Sequence, residues 1–542
     1  MKRLVPFALA AIFCAQATAA GPAIPHLEKH GTATQLIVGG KPFLMLAGEV
    51  HNSSSSSLAY METLWPKLVA LNLNTVLAPV SWEMVESQEG RFDFAVVDGL
   101  IRQARARDVR LVLLWFATWK NGVCSYAPPW VKMDTERFPR AKREDGFNER
   151  MLSAFGAETM QADARAFAAL MRHIKEVDGD RHTVVMMQVQ NEAGLKNWAR
   201  DHHPLADAAW KQPVPQVLLD YMKSNRDALI PEFREVWEAA GAKTAGTWAE
   251  VFGTSPRAEE VFQGWHVARF IGRVAEAGRK EYDLPMFANA WLIGPGQKPG
   301  QYPTGGPHAR LMDVWRVAAP AIDLLAPDIY LPDFKGICAK YARQGNPLLI
   351  PETRTGPEAA ARVFYVLAEH DGIGFAPFGV DHMPDDHPLA ASYALLRSLA
   401  PLVAKHQGTD RMVGLLHEGG DEGKRLVEFA EYKADIHFPK HGRNDQTGAY
   451  GLIIEEAPDR FLLAGHGFGV HFAWKERGSA GMLEVWEGTF DADGRWVPGR
   501  RLNGDETAGG YRAQLPPNYR NAHERPMQPC ILRVRVYHYP WE

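Results

Sequence analysis

The chain has 542 residues, a formal net charge of −4 and 46% hydrophobic residues. This length is more than a single domain usually needs, and the charge excludes the strongly basic surface of a nucleic-acid-binding protein. Beyond the N-terminus, no apolar stretch is long enough to cross a membrane. The composition therefore predicts an ordinary globular protein of more than one domain, with no nucleic-acid partner.

The N-terminus has the three parts of a secretory signal peptide. Lys2 and Arg3 carry positive charge, residues 4–15 are apolar, and small residues close the segment. We predict a signal peptide over residues 1–20 and a linker over residues 21–34. The mature protein is then expected to be exported, either to the periplasm or out of the cell, with no membrane partner after cleavage.

Three cysteines remain after that segment, Cys124, Cys338 and Cys530. They are far apart and odd in number, so their spacing does not resemble a disulfide framework, and we interpret them as mostly buried thiols. No cysteine and histidine cluster has the spacing of a zinc site. The sequence therefore predicts no metal and no cofactor.

From residue 43 to about residue 405, strand and helix patterns alternate. Apolar runs of strand length are each followed by a segment with apolar residues at helical spacing. Asp163 is a candidate N-cap for the third long helix. The predicted strands are 43–47, 75–80, 110–116, 184–190, 285–291, 322–329, 347–352 and 374–378. The predicted helices are 58–71, 96–107, 164–177, two or three within 217–282, 313–318, 337–343, 358–370 and 392–403.

Eight such units predict an α/β fold, a parallel (β/α)8 barrel over residues 35–408. An open doubly wound sheet is the alternative, but no Gly-x-Gly-x-x-Gly follows the first strand, which argues against a dinucleotide fold. From residue 409 to 542, short β-like runs alternate with Gly and Asp turn signals and predict a C-terminal β-sandwich. A packing role for this domain is favoured over carbohydrate binding.

Two of the predicted strands lead into a glutamate. Glu192 follows Asn191 after the fourth strand, and Glu352 ends the seventh. All strands of a barrel open on one face at their carboxyl ends, so both side chains can enter the same mouth. Glycoside hydrolysis needs two such carboxyl groups, about 5–5.5 Å apart for retention of configuration and farther apart for inversion.

This order of residues resembles the glycoside hydrolases in which the fourth and seventh strands carry the acid/base and the nucleophile. Two segments more narrowly resemble the family 35 β-galactosidases, with family 42 as neighbour. They are Gly-Glu-Val-His at residues 48–51 and the stretch 80–94, which contains Trp82 and ends in Phe-Asp-Phe. After the third strand, however, Ala-Thr-Trp-Lys-Asn-Gly at residues 117–122 is nearer to family 42 than to family 35.

The resemblance implies retaining hydrolysis, with Glu192 as acid/base and Glu352 as nucleophile. It also implies that Asn191 donates to the sugar 2-hydroxyl and that Tyr330 hydrogen-bonds the nucleophile. Arg354 is a candidate for holding the nucleophile ionised by its opposite charge. Further residues at strand ends are candidate sugar contacts, with a structural role as the alternative for each: Glu49, Trp119, Asn121, Asn289 and Trp291.

The predicted function is an exo-acting β-galactosidase that removes terminal galactose from oligosaccharides such as those of xyloglucan. The partner is then a carbohydrate substrate, and a homo-oligomer is left open. One alternative is another β-glycosidase or an endo-glycanase on the same barrel. Another is a non-catalytic carbohydrate-binding protein, against which the presence of both acids argues.

Overall fold

A computed structural model describes residues 23–418, 423–438, 448–491, 493–502, 504–517 and 528–540. The predicted signal peptide over residues 1–20 lies outside these residues. Within the described residues, every helix is too short or too polar to span a lipid bilayer.

Eight parallel strands form the predicted barrel, so the (β/α)8 fold is confirmed. The strands are β1 (Met45–Glu49), β2 (Thr75–Ser81), β3 (Arg110–Lys120), β4 (Val184–Asn191), β5 (Met286–Trp291), β6 (Leu324–Ile329), β7 (Leu349–Ile350 and Glu352–Thr353) and β8 (Gly374–Phe375). Consecutive strands pair in parallel from β1 through β6, and β8 pairs with β1.

The ring closes through a strand that is broken in the middle. The first piece of β7 pairs with β8 and the second with β6. Pro351 stands between the two pieces and has no amide hydrogen to donate to a neighbouring strand. The break therefore lies one residue before Glu352, at the end of the barrel that carries the candidate catalytic residues.

The strands are mostly apolar because both of their faces are buried. On β3, Val112, Leu114 and Phe116 belong to the cluster that fills the barrel. The alternate residues Leu111 and Leu113 belong to the larger cluster beneath the surrounding helices. The continuous apolar runs of the sequence thus identify barrel strands rather than strands with one solvated face.

The helices surround the barrel close to their predicted positions. Four helices lie between residues 216 and 281, where two or three were predicted. The described α-helices are Leu58–Ala70, Trp82–Val85, Ala95–Arg105, Pro129–Met133, Ala157–Asp178, Pro204–Trp210, Gln216–Ser224, Pro231–Ala239, Trp248–Phe252, Pro256–Glu281, Met312–Ala318, Phe334–Tyr341, Ala359–Glu369 and Leu389–His406.

The prediction that Asp163 caps a helix was wrong. The helix begins at Ala157, so Asp163 lies in its second turn. Its buried carboxylate accepts hydrogen bonds from Trp115 Nε1 at 2.8 Å, Thr118 Oγ1 at 2.5 Å and Gln190 Nε2 at 2.7 Å. Burial raises the pKa of Asp163 to about 6. Asp163 therefore ties this helix to the ends of β3 and β4.

The predicted linker is partly folded. Residues His26–His30 and Ala33–Val38 form an antiparallel hairpin with its turn at Gly31, where φ is +58°. Leu36 packs into the barrel cluster, and Thr32 N donates to Gly408 O at 3.1 Å beyond the last barrel helix. The hairpin thus covers the end of the barrel opposite to the strand carboxyl ends, and the linker prediction was wrong for residues 26–34.

The C-terminal domain is a sandwich of two antiparallel sheets, as predicted. An apolar cluster that includes Phe461 and Phe468 lies between them. The six-stranded sheet has the order Met412–His417, Ala449–Ala457, Arg460–His466, Cys530–Pro540, Gly478–Phe490 and Trp496–Arg501, and the four-stranded sheet has the order Lys424–Glu428, Tyr432–His437, Phe468–Trp474 and Ala513–Leu515.

The sandwich packs against the barrel helix Ala359–Glu369. Arg425 bonds to Glu369 at 2.8 Å, and the Phe364 and Tyr450 rings lie 5.2 Å apart between centroids. The contact is on the outside of the barrel, away from the strand ends, which agrees with a packing role.

Candidate active site

Three buried carboxyl groups meet at the carboxyl end of the barrel. Glu192 follows β4, Asp328 lies on β6 and Glu352 begins the second piece of β7. One oxygen of each lies within 4.8 Å of the others, and their exposed fractions are 5%, 2% and 5%. We call this group the carboxyl cluster. Glu192 and Glu352 were predicted to lie close together, and they do. Asp328 was not among the predicted site residues.

A bulge in β3 turns the end of β4 into the barrel mouth. Trp115 pairs with Val189, but the next pair joins Lys120 to Asn191, so β3 has extra residues between them. Bulges of this kind re-aim side chains beside active sites. Glu192 accordingly has a positive φ of 44°, a conformation that non-glycine residues adopt rarely and mostly at functional sites.

The bulge leaves Gln190 with an unusual backbone conformation and an outward-facing side chain. Its φ is 67°, and its side chain leaves the mouth: Nε2 donates to Asp163 at 2.7 Å and Oε1 accepts from Trp119 N at 3.0 Å. The outward turn of Gln190 leaves the mouth to Asn191 and Glu192. The hydrogen bonds of buried Asp163 thus fix the conformation at the ends of β3 and β4.

Asn191 is held with one donor group turned towards the mouth. Its Oδ1 accepts from Gln188 Nε2 at 3.0 Å and from Asn289 Nδ2 at 3.1 Å. Its Nδ2 has only a long contact of 3.5 Å, to Oδ1 of half-buried Asn121. Nδ2 of Asn191 is therefore free to donate more strongly to a ligand, and Asn121 lies beside it as predicted.

Asn289 connects the carboxyl cluster instead of facing a sugar. Its Oδ1 accepts from the backbone N–H of Glu192 at 3.0 Å. Its Nδ2 lies 2.8 Å from Asp328 Oδ2, 3.1 Å from Asn191 Oδ1 and 3.4 Å from Glu352 Oε1. Asn289 is 1% exposed, and its amide already bonds other residues of the protein. We therefore assign Asn289 a positioning role in place of the predicted contact with sugar.

Tyr330 makes the predicted hydrogen bond to Glu352. Its hydroxyl donates to Glu352 Oε2 at 2.9 Å. Arg354 is exposed and lies past the end of β7, where its guanidinium donates to the Tyr330 carbonyl at 3.1 Å and lies 6.0 Å from the Tyr330 ring centroid. The structure therefore places Arg354 against Tyr330, and not against Glu352 as the sequence analysis expected.

Glu49, at the end of β1, is a fourth carboxyl group beside the cluster. It is 0% exposed, and both its oxygens lack a hydrogen-bond partner among the described residues. Burial and the nearby Glu352 raise the pKa of Glu49 well above its usual range, while Lys120 lowers it. A buried carboxyl group without partners is costly, so Glu49 fits a position where a ligand hydroxyl completes the bonding.

Lys120 is a buried cation at this end of the barrel that was not among the predicted site residues. It ends β3 and is 5% exposed, and its Nζ lies 4.5 Å from the Phe116 ring centroid. Its charge lowers the pKa of both Glu49 and Glu192. Lys120 directly precedes Asn121, a predicted site residue at the same strand end. That position in the sequence could have identified Lys120.

The two predicted tryptophans have different surroundings. Trp119 is 2% exposed and packs edge-to-face on Phe270 with 4.7 Å between ring centroids. The prediction that Trp119 contacts sugar was therefore wrong, because the bulge turns it into the helix layer. Trp291 is half-buried at the end of β5, with Lys196 Nζ 4.2 Å from its ring centroid. Trp291 is thus placed at the rim, where its ring can stack on a ligand.

Two groups of the described residues have donor atoms spaced closely enough for a metal ion, the carboxyl cluster and the trio His51, Asp381 and His382. In the trio, Asp381 Oδ1 accepts from His51 Nδ1 at 2.8 Å and Oδ2 accepts from Ser54 Oγ at 2.7 Å. These bonds already use both oxygens of Asp381. The trio therefore braces the loop after β1 against the loop after β8, and we assign no metal to it.

The electrostatics of the cluster suit a general acid at neutral pH. Burial and, next, the charge of Glu352 raise the pKa of Glu192 to about 8. A proton donor works best when its pKa lies near the working pH. Glu192 can thus hold a proton while Glu352, with its hydroxyl donor Tyr330, serves as the carboxylate.

This raised pKa predicts that stability falls as the pH rises from about 4.5 to about 8. In the unfolded chain Glu192 ionises near its usual pKa of 4.5, whereas the folded protein keeps the proton up to about pH 8, so the folding advantage is lost across that window. Glu192→Gln removes the ionising group, and we expect it to stabilise the protein at pH 8 by about 2–4 kcal/mol, with little gain at pH 5. Thermal unfolding of both proteins at the two pH values measures this. An equal effect at pH 5 and pH 8 would contradict it.

Two family models match parts of this chain. Residues 60–264 match the glycoside hydrolase family 42 model, described as "Beta-galactosidase". Over these residues the chain is similar to β-galactosidases. The matched segment contains Glu192 but ends before Glu352. Residues 389–514 match a domain of unknown function, DUF5597, which starts in the last barrel helix.

One curated relative is a β-galactosidase of Xanthomonas manihotis, 31% identical over 212 residues. The match covers 38% of this chain and 32% of the relative, so the chain spans about a third of that protein's length. These matches support a β-galactosidase-like glycoside hydrolase, and the narrower resemblance to family 35 stays a prediction.

Solved structures of two β-galactosidases are similar at low identity. The Bacillus circulans sp. alkalophilus protein has a TM-score of 0.45 and 15% identity, with 66% of this chain and 57% of that chain covered. The Rahnella sp. R3 protein has a TM-score of 0.44 and 16% identity, with 67% and 57% covered.

Proposed function

We propose that this protein is a retaining, exo-acting β-galactosidase that removes terminal β-galactosyl residues from oligosaccharides or polysaccharides. The observation that carries the proposal is the approach of Glu192 and Glu352 oxygens to within 4.8 Å at the barrel mouth. Retaining glycosidases hold their two carboxyl groups about 5–5.5 Å apart, whereas inverting enzymes need about 6.5–9.5 Å to admit a water. The short spacing therefore supports retention.

In the first step Glu352 attacks the anomeric carbon while Glu192 gives its proton to the glycosidic oxygen, so the aglycone leaves as an alcohol. In the second step Glu192 takes a proton from water, whose oxygen displaces Glu352 from the sugar. Glu352 loses its negative charge while it is esterified. Because that charge helps to raise the pKa of Glu192, esterification lowers the pKa of Glu192, which stays ionised after giving up its proton and can act as the base in the second step.

Exo action is supported by the enclosure of the carboxyl cluster. Both glutamates are 5% exposed, which indicates a narrow opening instead of a long cleft. The loops after β4 and β5 are joined at this rim by paired backbone hydrogen bonds between Leu195 and Thr304, at 2.9 and 2.8 Å, and by one from Asn197 to Gly300 at 2.7 Å. A closed rim admits the end of a sugar chain and not its middle.

The choice of galactose rests on the matches to β-galactosidases, since the geometry itself does not select one hexose. Xyloglucan side chains are the natural substrate we propose, and export to the periplasm or the medium would bring the enzyme to such polysaccharides. Another β-glycosidase activity on the same barrel is the second candidate, because the carboxyl cluster would serve any equatorial glycoside.

Hydrolysis of nitrophenyl glycosides by the mature protein tests the proposal. We expect the β-galactoside to be cleaved with a kcat/KM at least about tenfold above the β-glucoside, β-mannoside and α-arabinoside, since a mismatched hydroxyl in a buried site leaves polar groups unpaired. Nuclear magnetic resonance of the first product formed gives the anomer, and β-galactose supports retention. Cleavage of another glycoside alone would overturn the galactose assignment, and an α-product would overturn retention.

A further inference from the structure

Asp328 lies between the two glutamates of the proposed mechanism but has no role in it. It is the fifth residue of β6, and its backbone is in register with Glu352 on β7. Tyr330, two residues later, bonds Glu352. The end of β6 therefore reaches Glu352 through Tyr330 and reaches Glu192 through Asp328.

The contacts of Asp328 require a proton. Its Oδ2 accepts from Asn289 Nδ2 at 2.8 Å, while Oδ1 has no donor from any other described group. One carboxyl oxygen of Asp328 lies within 4.8 Å of an oxygen of Glu192, and both groups are buried. Two carboxylates this close repel each other in a buried site, so one of the pair holds a proton.

We propose that Asp328 and Glu192 share one proton in the resting enzyme, and that Asp328 is the positioning residue that keeps this proton on the pair until bond cleavage. This inference rests on the proposed function, in which Glu192 is the acid/base. It assigns the third carboxyl group of the cluster, which would otherwise be an unexplained buried charge.

The surrounding charges favour retention of that proton. Negative groups face the pair from β7 and β1, and two lysines face it from β3 and from the loop after β4. Two tyrosines lie close enough for Asp328 to raise their pKa. Without the shared proton, four carboxylates would face two ammonium groups. The groups concerned are Glu352, Glu49, Lys120, Lys196, Tyr330 and Tyr341.

The shared proton also keeps the charge of the cluster constant through the reaction. Before cleavage, Glu352 carries one negative charge and the Asp328–Glu192 pair carries one. When Glu192 gives up the proton, the pair carries two charges, but Glu352 has become a neutral ester. Water then returns a proton to the pair as Glu352 is released. Neither step therefore adds net charge to a buried site, where extra charge is costly.

Asp328→Asn tests the inference through the pH profile. The asparagine amide is uncharged and brings no shared proton and no repelling charge, so Glu192 should ionise more easily. We expect the basic limb of kcat/KM for a nitrophenyl β-galactoside to move to lower pH by about one unit or more, with the acidic limb in place. Asp313→Asn, a buried aspartate bonded to Tyr221 and Ile230 N away from the mouth, is the control and should leave both limbs unchanged.

A folded, active Asp328→Asn protein with an unmoved basic limb would overturn the shared proton. A second measurement needs no activity: infrared difference spectroscopy of the unaltered protein and of Asp328→Asn counts the carboxyl groups that remain protonated at pH 7. We expect such a group in the unaltered protein and one fewer in Asp328→Asn, and an equal number in the two proteins would overturn the inference. If that group is present but no glycoside is cleaved, the proposed function fails while the shared proton stands.

Discussion

Glu352→Gln is expected to lower kcat for β-galactoside hydrolysis by about four orders of magnitude or more. The amide cannot attack the anomeric carbon, and removal of a covalent nucleophile eliminates the whole two-step path. The Tyr330 hydroxyl can still bond the glutamine side chain, so the site geometry and substrate binding should survive. Initial rates on nitrophenyl β-galactoside, together with galactose binding by calorimetry, separate lost chemistry from lost binding.

The matched control for this variant is Glu455→Gln in the C-terminal domain. Glu455 is also a buried glutamate, at 2% exposure, and it bonds the backbone N–H of Ala430 far from the barrel mouth. We expect its kcat to match that of the unaltered protein. If Glu352→Gln kept more than about a hundredth of the activity while Glu455→Gln kept all of it, Glu352 would not be the nucleophile.

Glu192→Ala is expected to act selectively on substrates that need an acid. For a phenyl or alkyl β-galactoside the rate should fall by about 10³-fold, the usual contribution of a general acid. For a dinitrophenyl β-galactoside the leaving group needs no proton, so the first step should stay fast and the galactosyl-enzyme should accumulate as a burst. Stopped-flow release of dinitrophenol measures both phases.

Azide provides the decisive comparison for Glu192→Ala. It attacks the galactosyl-enzyme without a general base, so added azide should raise the steady-state rate of the alanine variant and yield β-galactosyl azide. It should have no such effect on Glu352→Gln, which forms no intermediate. An equal loss on phenyl and dinitrophenyl substrates, with no azide product, would assign Glu192 a structural role.

The sequence revealed the features that depend on local pattern. The eight βα units and the two glutamates at strand ends were predictable, because buried parallel strands are apolar runs and their carboxyl ends share one face. The family resemblance, and not the strand pattern, predicted the hydrogen bond from Tyr330 to Glu352. Asp328 is also on β6, two residues before Tyr330, and alternation along the strand would have pointed to it.

What the sequence did not reveal depends on backbone geometry over long distances. The β3 bulge sends Trp119 into the helix layer and Gln190 towards Asp163, and a bulge has no signature in residue type alone. Arg354 was paired with Glu352 from closeness in sequence, but the strand ends before Arg354 and its side chain contacts Tyr330. Asn289 was predicted to contact a ligand because it ends a strand. Its actual partners, Asn191 and Asp328, lie on other strands, and the sequence does not show contacts between strands.

The break in β7 divides the barrel wall at one point, between Ile350 and Glu352. Glu352 is in the piece that pairs with β6, while the preceding piece pairs with β8. Because Pro351 donates no backbone hydrogen bond, the strand piece that carries Glu352 is tied by its backbone pairing to β6 and not to β8. Asp328 and Glu352 lie on one directly paired pair of strands, and Tyr330 bonds Glu352. The spacing of these three residues therefore depends on the β6–β7 pairing and not on β8.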